Sequence, residues 1–263
     1  MSARADVNLQ STPESVELRG SGAVVPLARA MAERIMADRP GSVVAVSSGG
    51  IRRGLKSVIV GTAEIAMAHD RIPEDLQKLA QDRGIKLKKI EVFWDALVPV
   101  VHPKNKISGL TLKQLRDIYR GAITNWHDVG GKDAEITVLT HPSTTSMYET
   151  FKTSVMGDDA VIIPTATLVA YHELEATFES DADAIAYVGH SQVAKLKVKS
   201  LAINGVVASP ATVQAGSYPI RRVTALYTRE PTSPMANKVI EYFLAPDKGQ
   251  AFVRAQGDTP VVK

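Results

Sequence analysis

The sequence has no cysteine, few aromatic residues and no long apolar run. Its 263 residues include no Cys, and the 2 Trp, 7 Tyr and 5 Phe make up only 5% of the chain. The absence of cysteine excludes disulfides, thiolate metal sites and cysteine nucleophiles. So few aromatic side chains do not indicate a stacking platform for nucleic-acid bases. No stretch approaches the roughly 18 consecutive apolar residues of a membrane-spanning helix, so the sequence predicts none.

What is present is the composition of a globular protein. Hydrophobic residues make up 44% of the chain and charged residues 22%, which is enough to bury one large core or two moderate ones. The formal net charge is only +3, and the closest basic cluster, Lys86, Lys88 and Lys89, has no aromatic residue between its members. We interpret this cluster as solvated surface and expect no nucleic-acid partner.

One local pattern occurs three times: an apolar strand, a turn of small or hydroxyl-bearing residues, and an amphipathic helix. Strands predicted at residues 16–19, 43–46 and 136–139 precede turns at residues 20–22, 47–50 and 141–146. Further strands are predicted at 64–68, 91–101, 184–188, 198–203 and 223–227, and further helices at 110–119, 235–244 and 248–254. Strands that alternate with helices predict an α/β fold.

The three turns suggest an anion-binding site. A helix start offers unpaired backbone N–H groups and the positive end of the helix dipole. Several such starts at the carboxyl edge of a sheet would form an anion cradle. Ser and Thr are also ordinary helix N-caps, so a purely structural role stays open. His69 and His141 each end a predicted strand, where a histidine either contacts a ligand or serves the structure.

No arrangement for catalysis is found in the sequence. The segment at residues 189–193 resembles the nucleophile elbow of serine hydrolases, but Val193 stands where a glycine is needed and no histidine follows His190. The six histidines show no helical metal-binding spacing. Asp181 and Asp183 lie in a polar turn and are interpreted as solvated. We therefore expect no enzyme activity, no metal and no cofactor.

Five motifs resemble the phosphate-binding (PstS-like) solute-binding proteins of ABC transporters, a type II periplasmic-binding-protein family. In chain order they are Gly20-Ser21-Gly22-Ala23, Ser47-Ser48-Gly49-Gly50, Glu64-Ile65-Ala66-Met67-Ala68, residues 110–119 with Ile123-Thr124-Asn125-Trp126, and Ala184-Ile185-Ala186-Tyr187-Val188. The resemblance covers about residues 17–255. Its middle motif is specific to the family, whereas the Gly/Ser turns are not.

The resemblance implies an α/β fold of two lobes, each a mixed sheet flanked by helices. Two strands, near residues 96–101 and 220–227, would cross between the lobes. We expect residues 17–96 plus 223–263 to form lobe 1 and residues 97–222 to form lobe 2. A small oxyanion, phosphate or a related ion, would be captured in the cleft between the lobes by hinge closure.

The resemblance also implies a ligand site, with several changes from the family pattern. Ser47 matches a phosphate-contacting serine. Val24 stands in place of a Thr or Ser, His69 in place of an Asp or Ser, and His141 in place of the arginine that pairs with phosphate. The expected ligand-binding residues are Ala23, Val24, Ser47, His69, His141, Thr145, Ser146 and Met147.

These changes alter the expected binding energy. Loss of one or two charged hydrogen bonds, at roughly 1.5 to 3 kcal/mol each, would lower the affinity for phosphate by about one to four orders of magnitude without compensation. Arg52, Arg53 and Arg71 are candidates to compensate. A histidine with an ordinary pKa titrates near neutrality, so we also expect His69 and His141 to strengthen anion binding at pH 5.5 relative to pH 8.

The expected function is that of an extracytoplasmic solute-binding protein of an ABC importer. Its partners would be permease subunits at the membrane, and it would act as a monomer. Residues 1–18 contain no apolar signal-peptide core, so this location presumes a leader that has been removed. Two alternatives stay open: the same fold with a non-phosphate ligand, or a sensory or interaction module that has lost tight anion binding.

Overall fold

The computed structural model describes residues 14–69, 71–157 and 161–262. The strands are β1 (Ser15–Gly20), β2 (Val43–Ser48), β3 (Ile65–His69), β4 (Leu87–Val101), β5 (Gly109–Leu110), β6 (Thr137–Thr140), β7 (Thr167–Leu168), β8 (Ala184–Gly189), β9 (Lys199–Ser200), β10 (Ala202–Ile203), β11 (Arg221–Arg229) and β12 (Thr259–Pro260). The α-helices are α1 (Val25–Asp38), α2 (Ile51–Val60), α3 (Glu74–Asp82), α4 (Leu112–Tyr119), α5 (Ser146–Phe151), α6 (Leu174–Ser180), α7 (His190–Val193), α8 (Pro210–Ala215), α9 (Pro234–Leu244) and α10 (Gly249–Gln256).

The chain divides into two compact units. Among the described residues, unit 1 comprises those of Met1–Ala68, Ile72–Ile90 and Leu226–Phe243, and unit 2 comprises those of His69–Arg71, Glu91–Ala225 and Leu244–Lys263. Strands β4 and β11 contribute residues to both units. Residues 244–263 belong to unit 2, whereas the expected lobe 1 included them. Lobes are defined by which segments move together, so the expected lobe boundaries stay a prediction.

Unit 1 contains a parallel arrangement of three strands in the order β2-β1-β3. The register pairs Leu18 of β1 with Val46 of β2 and with Ile65 of β3. Apolar residues four apart give α1 a buried face, which includes Leu27, Met31 and Ile35. Helix α2 is capped by Gly61, whose φ of 89° lies in the left-handed region that favours glycine at a helix end.

Unit 2 contains a mixed sheet. Strand β4 pairs antiparallel with β8, and β8 pairs parallel with β6, which pairs parallel with β7. Residues 96–101 of β4 and all residues of β8 are buried, so this part of the sheet is covered on both faces. Strands β5 and β10 form a separate parallel pair.

The core of unit 2 is built around an aromatic cluster. The Phe151 ring stacks on the Tyr187 ring, with centroids 4.0 Å apart, and lies 4.4 Å from the Tyr119 ring. The buried hydroxyl of Tyr119 donates to the Leu139 carbonyl at 3.0 Å. Trp126 is fully buried, and its indole N–H donates to the Asp183 carbonyl at 2.9 Å. These bonds satisfy the polar atoms that the large side chains carry inside.

The α/β class predicted from the sequence is confirmed. Helix α4 begins two residues later than predicted, at Leu112, because Thr111 and Gln114 form a reciprocal capping box. The strand predicted at 198–203 was wrong as a single element: β9 pairs with β4, and β10 pairs with β5. Helix α3 was not predicted. No helix in the part of the chain that the structure describes has the length and apolar character of a membrane crossing.

Candidate functional site

The first Gly/Ser turn of unit 1 is held tightly by backbone hydrogen bonds. The Ser21 N–H donates to the Met67 carbonyl at 2.8 Å, and the Gly20 carbonyl accepts from the N–H groups of Gly49 and Gly50 at 3.2 and 3.1 Å. Gly20 has a φ of 152°, and a Cβ there would lie 2.1 Å from the Met67 oxygen. The first two predicted turns are therefore joined directly through the Gly20 carbonyl.

The two predicted ligand residues of this turn differ in exposure. Ala23 is exposed, whereas Val24 is fully buried. Both lie in a short 3-10 helix, Gly22–Val24, that leads into α1. A valine has no polar side-chain atom, so its buried isopropyl group belongs to the core and offers an anion no hydrogen bond. The role of either residue in binding stays a prediction.

Ser47 takes part in a polar network on β1 and β2. Its hydroxyl accepts from Arg19 Nε at 3.1 Å and donates to Glu17 Oε1 at 3.2 Å. Arg19 also forms an ion pair with Glu17 at 2.5 Å. The hydroxyl therefore already serves as both donor and acceptor. A phosphate oxygen accepts hydrogen bonds, so a contact with it at Ser47 would have to replace the bond that the hydroxyl donates to Glu17.

His141 points into the sheet of unit 2. The residue is 3% exposed, and its Nε2 lies 2.9 Å from the Tyr187 carbonyl, to which it donates. Its ring meets the Tyr187 ring edge-on with centroids 5.1 Å apart. Burial lowers the pKa of His141, and hydrogen bonds to the backbone at Tyr187 and Val169 partly oppose this shift. His141 is thus held by the backbone of unit 2.

The remaining residues of the third turn lie at the start of α5. The Thr145 hydroxyl accepts from the Tyr148 N–H at 3.3 Å and donates to the Pro142 carbonyl at 2.8 Å, so Thr145 is the N-cap. Ser146 is the first residue of the helix. Met147 is partly buried and packs against the core of unit 2. The predicted helix start is thus confirmed, whereas ligand contacts there stay a prediction.

The residue that sequence reasoning missed is Arg222 on β11. It is 8% exposed, and its Nη2 and Nε both donate to Asp95 Oδ2, at 2.8 and 3.3 Å. Its Nη1 donates to the Thr150 hydroxyl on α5 at 2.7 Å and to His69 Nε2 at 3.4 Å. Arg222 therefore connects β4, α5 and His69 within unit 2.

The charge of Arg222 affects His69. Burial lowers the pKa of His69 to about 3, and repulsion by the Arg222 guanidinium acts in the same direction. The expectation that His69 titrates near neutrality is therefore wrong, and the pKa of His141 is lowered as well. The His69 ring is neutral between pH 5.5 and pH 8, and its protonation does not strengthen anion binding in that range. A contribution from His141 stays a prediction.

Asp258 lies near the same charges. Burial and repulsion by Asp95 raise the pKa of Asp258 to about 7, although a hydrogen bond from Ser191 and the charges of Arg222 and Lys195 act in the opposite direction. The carboxyl of Asp258 therefore takes up a proton near neutrality in the folded state.

We predict that Asp258→Asn stabilises the protein at alkaline pH. The folded pKa of Asp258 lies above its ordinary value of 3.8, so the folded state binds more protons between these values and loses stability as pH rises. The substitution should raise the free energy of unfolding at pH 8 by about 1 kcal/mol or more, and the gain should shrink by up to about 1.4 kcal/mol per pH unit toward pH 4. Urea unfolding of the variant and the wild type at several pH values measures this difference in the free energy of unfolding.

The matched control for Asp258→Asn is Asp128→Asn, which changes an exposed carboxylate in a surface turn. We expect this control to alter the free energy of unfolding by less than about 0.5 kcal/mol at every pH. A gain for Asp258→Asn that does not change with pH, or a loss at pH 8, would contradict the assignment.

The structure brings together only part of the predicted site. His69 meets Arg222 in unit 2, and Thr150, which was not predicted, joins them. His141 bonds to the Tyr187 backbone instead. Among the described residues, no group of three or more His, Asp or Glu is placed to hold a metal ion.

Comparison with known proteins gives the family. A family model described as the PBP superfamily domain matches residues 8–247. The chain belongs to the PBP superfamily. The phosphate-binding protein PstS of Bacillus subtilis (strain 168) is 28% identical over 250 residues, which cover 94% of this chain and 81% of that protein. This confirms the resemblance inferred from the sequence motifs.

Solved PBP structures support the same assignment. A substrate-binding protein from Clostridium perfringens with bound phosphate matches with a TM-score of 0.76 and 26% identity, covering 94% of this chain and 100% of that chain. An ABC-type phosphate transport receptor from Vibrio cholerae matches with a TM-score of 0.81 and 25% identity, covering 93% and 99%. The type II periplasmic-binding-protein fold expected from the resemblance is confirmed.

Proposed function

We propose that this chain is the solute-binding protein of an ABC importer and captures phosphate. The observation that carries the proposal is similarity along nearly the whole chain to a protein solved with bound phosphate. Capture of this kind requires binding groups and no chemical step, and we infer no enzyme activity. The proposal extends to related oxyanions, because tetrahedral oxyanions share the need for converging hydrogen-bond donors.

The proposed ligand contacts come from residues at strand ends and helix starts. They include the exposed Ala23 and the hydroxyl of Ser47 in unit 1, and His69 with the start of α5 in unit 2. Val24 and His141 support the site through packing and backbone bonds, since both side chains are buried. This division of roles is our interpretation of their burial.

The proposed setting is outside the cytoplasm, with permease subunits at the membrane as partners and a monomeric working form. We infer the location, the partners and the monomeric form from the role of a substrate-binding protein in ABC import. Closure of two lobes on the ligand stays a prediction from the family resemblance.

A thermal-shift panel tests the proposed function. A ligand at 100 times its Kd stabilises a protein by about 2.7 kcal/mol, which raises Tm by roughly 5 to 10 °C in a chain of this size. We expect such a shift with phosphate and with arsenate, and no shift with acetate or chloride at equal ionic strength. Because the pKa of His69 is lowered to about 3, this ring stays neutral at both pH 5.5 and pH 8 and should not make the shift depend on pH.

Three results would contradict parts of this account. If no oxyanion raises Tm, the proposal that the protein captures phosphate is wrong. A selective shift with an uncharged or weakly charged solute would favour the same fold with another ligand. A larger shift at pH 5.5 than at pH 8 with sulfate, whose charge is the same at both pH values, would show that a histidine becomes charged in the complex.

A further inference from the structure

We propose that unit 2 carries a second anion site, a pocket lined by lysines that binds a phosphate or sulfate group. The pocket has a volume of about 90 Å³, and its lining residues are Lys104, Asn105, Lys106, Lys132 and Ala182. We call it the lysine pocket. The inference goes beyond the proposed function, because none of these residues is an expected ligand residue and none lies in the three turns that suggested an anion cradle.

The lysine pocket lies at one edge of the unit 2 sheet, and the third turn lies at the other. Strand β4 runs antiparallel to β8, with Val101 beside Ile185, so the loop after β4 lies where β6 and β8 begin. The lining residues come from this loop and from the turns that precede β6 and β8. His141 follows the opposite end of β6, whose four residues span about 10 Å. The pocket is therefore separate from the third turn.

Hydrogen bonds fix the loop that follows β4. The Asn105 N–H donates to the His102 carbonyl at 2.9 Å, and Asn105 Oδ1 accepts from the Ile107 N–H at 2.9 Å. The ammonium of Lys199, on β9, donates to the Asn105 carbonyl. The backbone of the two flanking lysines is therefore positioned before a ligand binds, which lowers the loss of conformational entropy on binding.

Two of the three ammonium groups at the lysine pocket have no counter-charge among the described residues. Neither the Lys104 nor the Lys106 ammonium forms an ion pair or a hydrogen bond in the part of the chain that the structure describes. The Lys132 ammonium lies 2.8 Å from Asp183 Oδ1. Two positive charges therefore remain at the pocket to attract a ligand of opposite sign.

The lining that the described residues provide contains no carboxylate. Two aspartates adjoin lining residues in the sequence, but their carboxylates have partners of their own. Asp133 Oδ1 accepts from Asn125 Nδ2 at 2.8 Å, and Asp181 Oδ1 accepts from the Asp183 N–H at 2.9 Å. Both carboxylates are directed to these partners, so the charges that line the pocket itself are positive.

The donors and the volume of the lysine pocket suit a small oxyanion. A cavity needs about 10 to 15 Å³ to hold one water, so about 90 Å³ has room for a small polyatomic group. An ammonium supplies three donors and no acceptor, and the Asn105 amide adds N–H donors. Compact ammonium charges suit a group with several charged oxygens, whereas a guanidinium is the usual partner of a flat carboxylate. The pocket therefore fits a phosphate or sulfate group, either as a free ion or at the end of a larger molecule.

A second cavity lined by lysines, in unit 1, suits this ligand less well. Its volume is about 560 Å³, and its lining residues are Lys86, Lys88, Glu230, Pro231, Thr232 and Asn237. The Glu230 carboxylate offsets one of the two ammonium charges, and the large volume does not enclose a small ion. Its two lysines nevertheless match those of the loop after β4, because both are exposed, lie two residues apart and form no ion pair with a described residue. They provide a matched control.

An NMR titration with sodium sulfate tests the proposal. The backbone amide signals of residues 104–107 and of Lys132 are followed at pH 8, with sodium chloride adjusted to hold the ionic strength constant. In the wild type we expect these signals to shift and to saturate with one Kd. In Lys104→Gln/Lys106→Gln the signals of Asn105 and Lys132 should give a Kd roughly 10-fold higher. In the control, Lys86→Gln/Lys88→Gln, which loses the same net charge, the Kd should stay within about twofold of the wild-type value.

Two results of this titration overturn the proposal. Signals that shift in proportion to sulfate without saturating would show that the lysine pocket is not a site. Equal Kd values for the wild type and Lys104→Gln/Lys106→Gln would show that the bound ion does not depend on these lysines. The substituted lysines are exposed, so we expect both variants to keep the dispersed spectrum of the folded protein. The signals report on the lysine pocket alone, so a protein that captures no phosphate at the expected ligand residues still tests this inference.

Titrations with sodium phosphate and with glycerol 3-phosphate separate the two sources of the anionic group. A lower Kd for glycerol 3-phosphate than for phosphate assigns the lysine pocket to a phosphate group carried by a larger molecule. An equal or higher Kd assigns it to the free ion. Either result supports the site, whereas the absence of saturation with sulfate, phosphate and glycerol 3-phosphate alike overturns it.

Discussion

Gly20→Ala is expected to lower the free energy of unfolding by at least about 3 kcal/mol. The φ of Gly20 is 152°, and a Cβ at this position would lie 2.1 Å from the Met67 carbonyl oxygen and 2.9 Å from the Met67 carbon. Both contacts involve backbone atoms of β3, which cannot rotate away as a side chain can. The methyl group would therefore force apart β1 and β3, next to the carbonyl that joins the first two turns.

The control for this substitution lies two residues away in the same turn. A Cβ added at Gly22 would have no atom of the described residues within 4 Å beyond its immediate chain neighbours, and the φ of Gly22 is not positive. Gly22→Ala should therefore change the free energy of unfolding by less than about 1 kcal/mol. Urea unfolding of both variants measures the difference. Equal effects of the two substitutions would show that the close approach of β1 to β3 does not set the requirement for glycine.

Phe151→Ala is expected to cost about 3 to 5 kcal/mol of folding stability. The ring is fully buried and lies between Tyr119 and Tyr187, so its removal opens a cavity among rigid aromatic neighbours. Phe151 is also the last residue of α5, the helix that follows Thr145 and carries Thr150. Loss of the ring should therefore also loosen the helix that faces Arg222 and weaken phosphate binding.

Leu168→Ala is the matched control for burial, because Leu168 is 65% exposed. We expect a change of less than about 0.5 kcal/mol in its free energy of unfolding and no change in phosphate affinity. Guanidinium unfolding and calorimetric titration measure both quantities. A loss of less than about 1 kcal/mol for Phe151→Ala would contradict the packing described for the aromatic cluster.

Local patterns in the sequence were sufficient to predict much of the fold. The strand–turn–helix pattern predicted β1, β2 and β6 with the helices that follow them, since its information lies within a short stretch of chain. Strand β4 extends further than predicted, beginning at Leu87. Its first residues are polar and mostly exposed, so the apolar run did not reveal them.

The candidate site was harder to predict because its contacts are not local. Arg222 and Asp95 lie 127 residues apart in the sequence, and neither belongs to a recognisable motif. A histidine after a strand can serve a ligand or the backbone, and the same pattern describes both His69 and His141. Only the structure distinguishes them: His69 meets a buried guanidinium, whereas His141 donates to the Tyr187 carbonyl.

The most direct test of the account is a crystal structure of the protein with phosphate. The account predicts one phosphate with an oxygen within about 3 Å of a polar atom of at least one expected ligand residue, such as Ser47, His69 or Thr145. Crystals grown in high phosphate that hold no anion near any of these residues would contradict it.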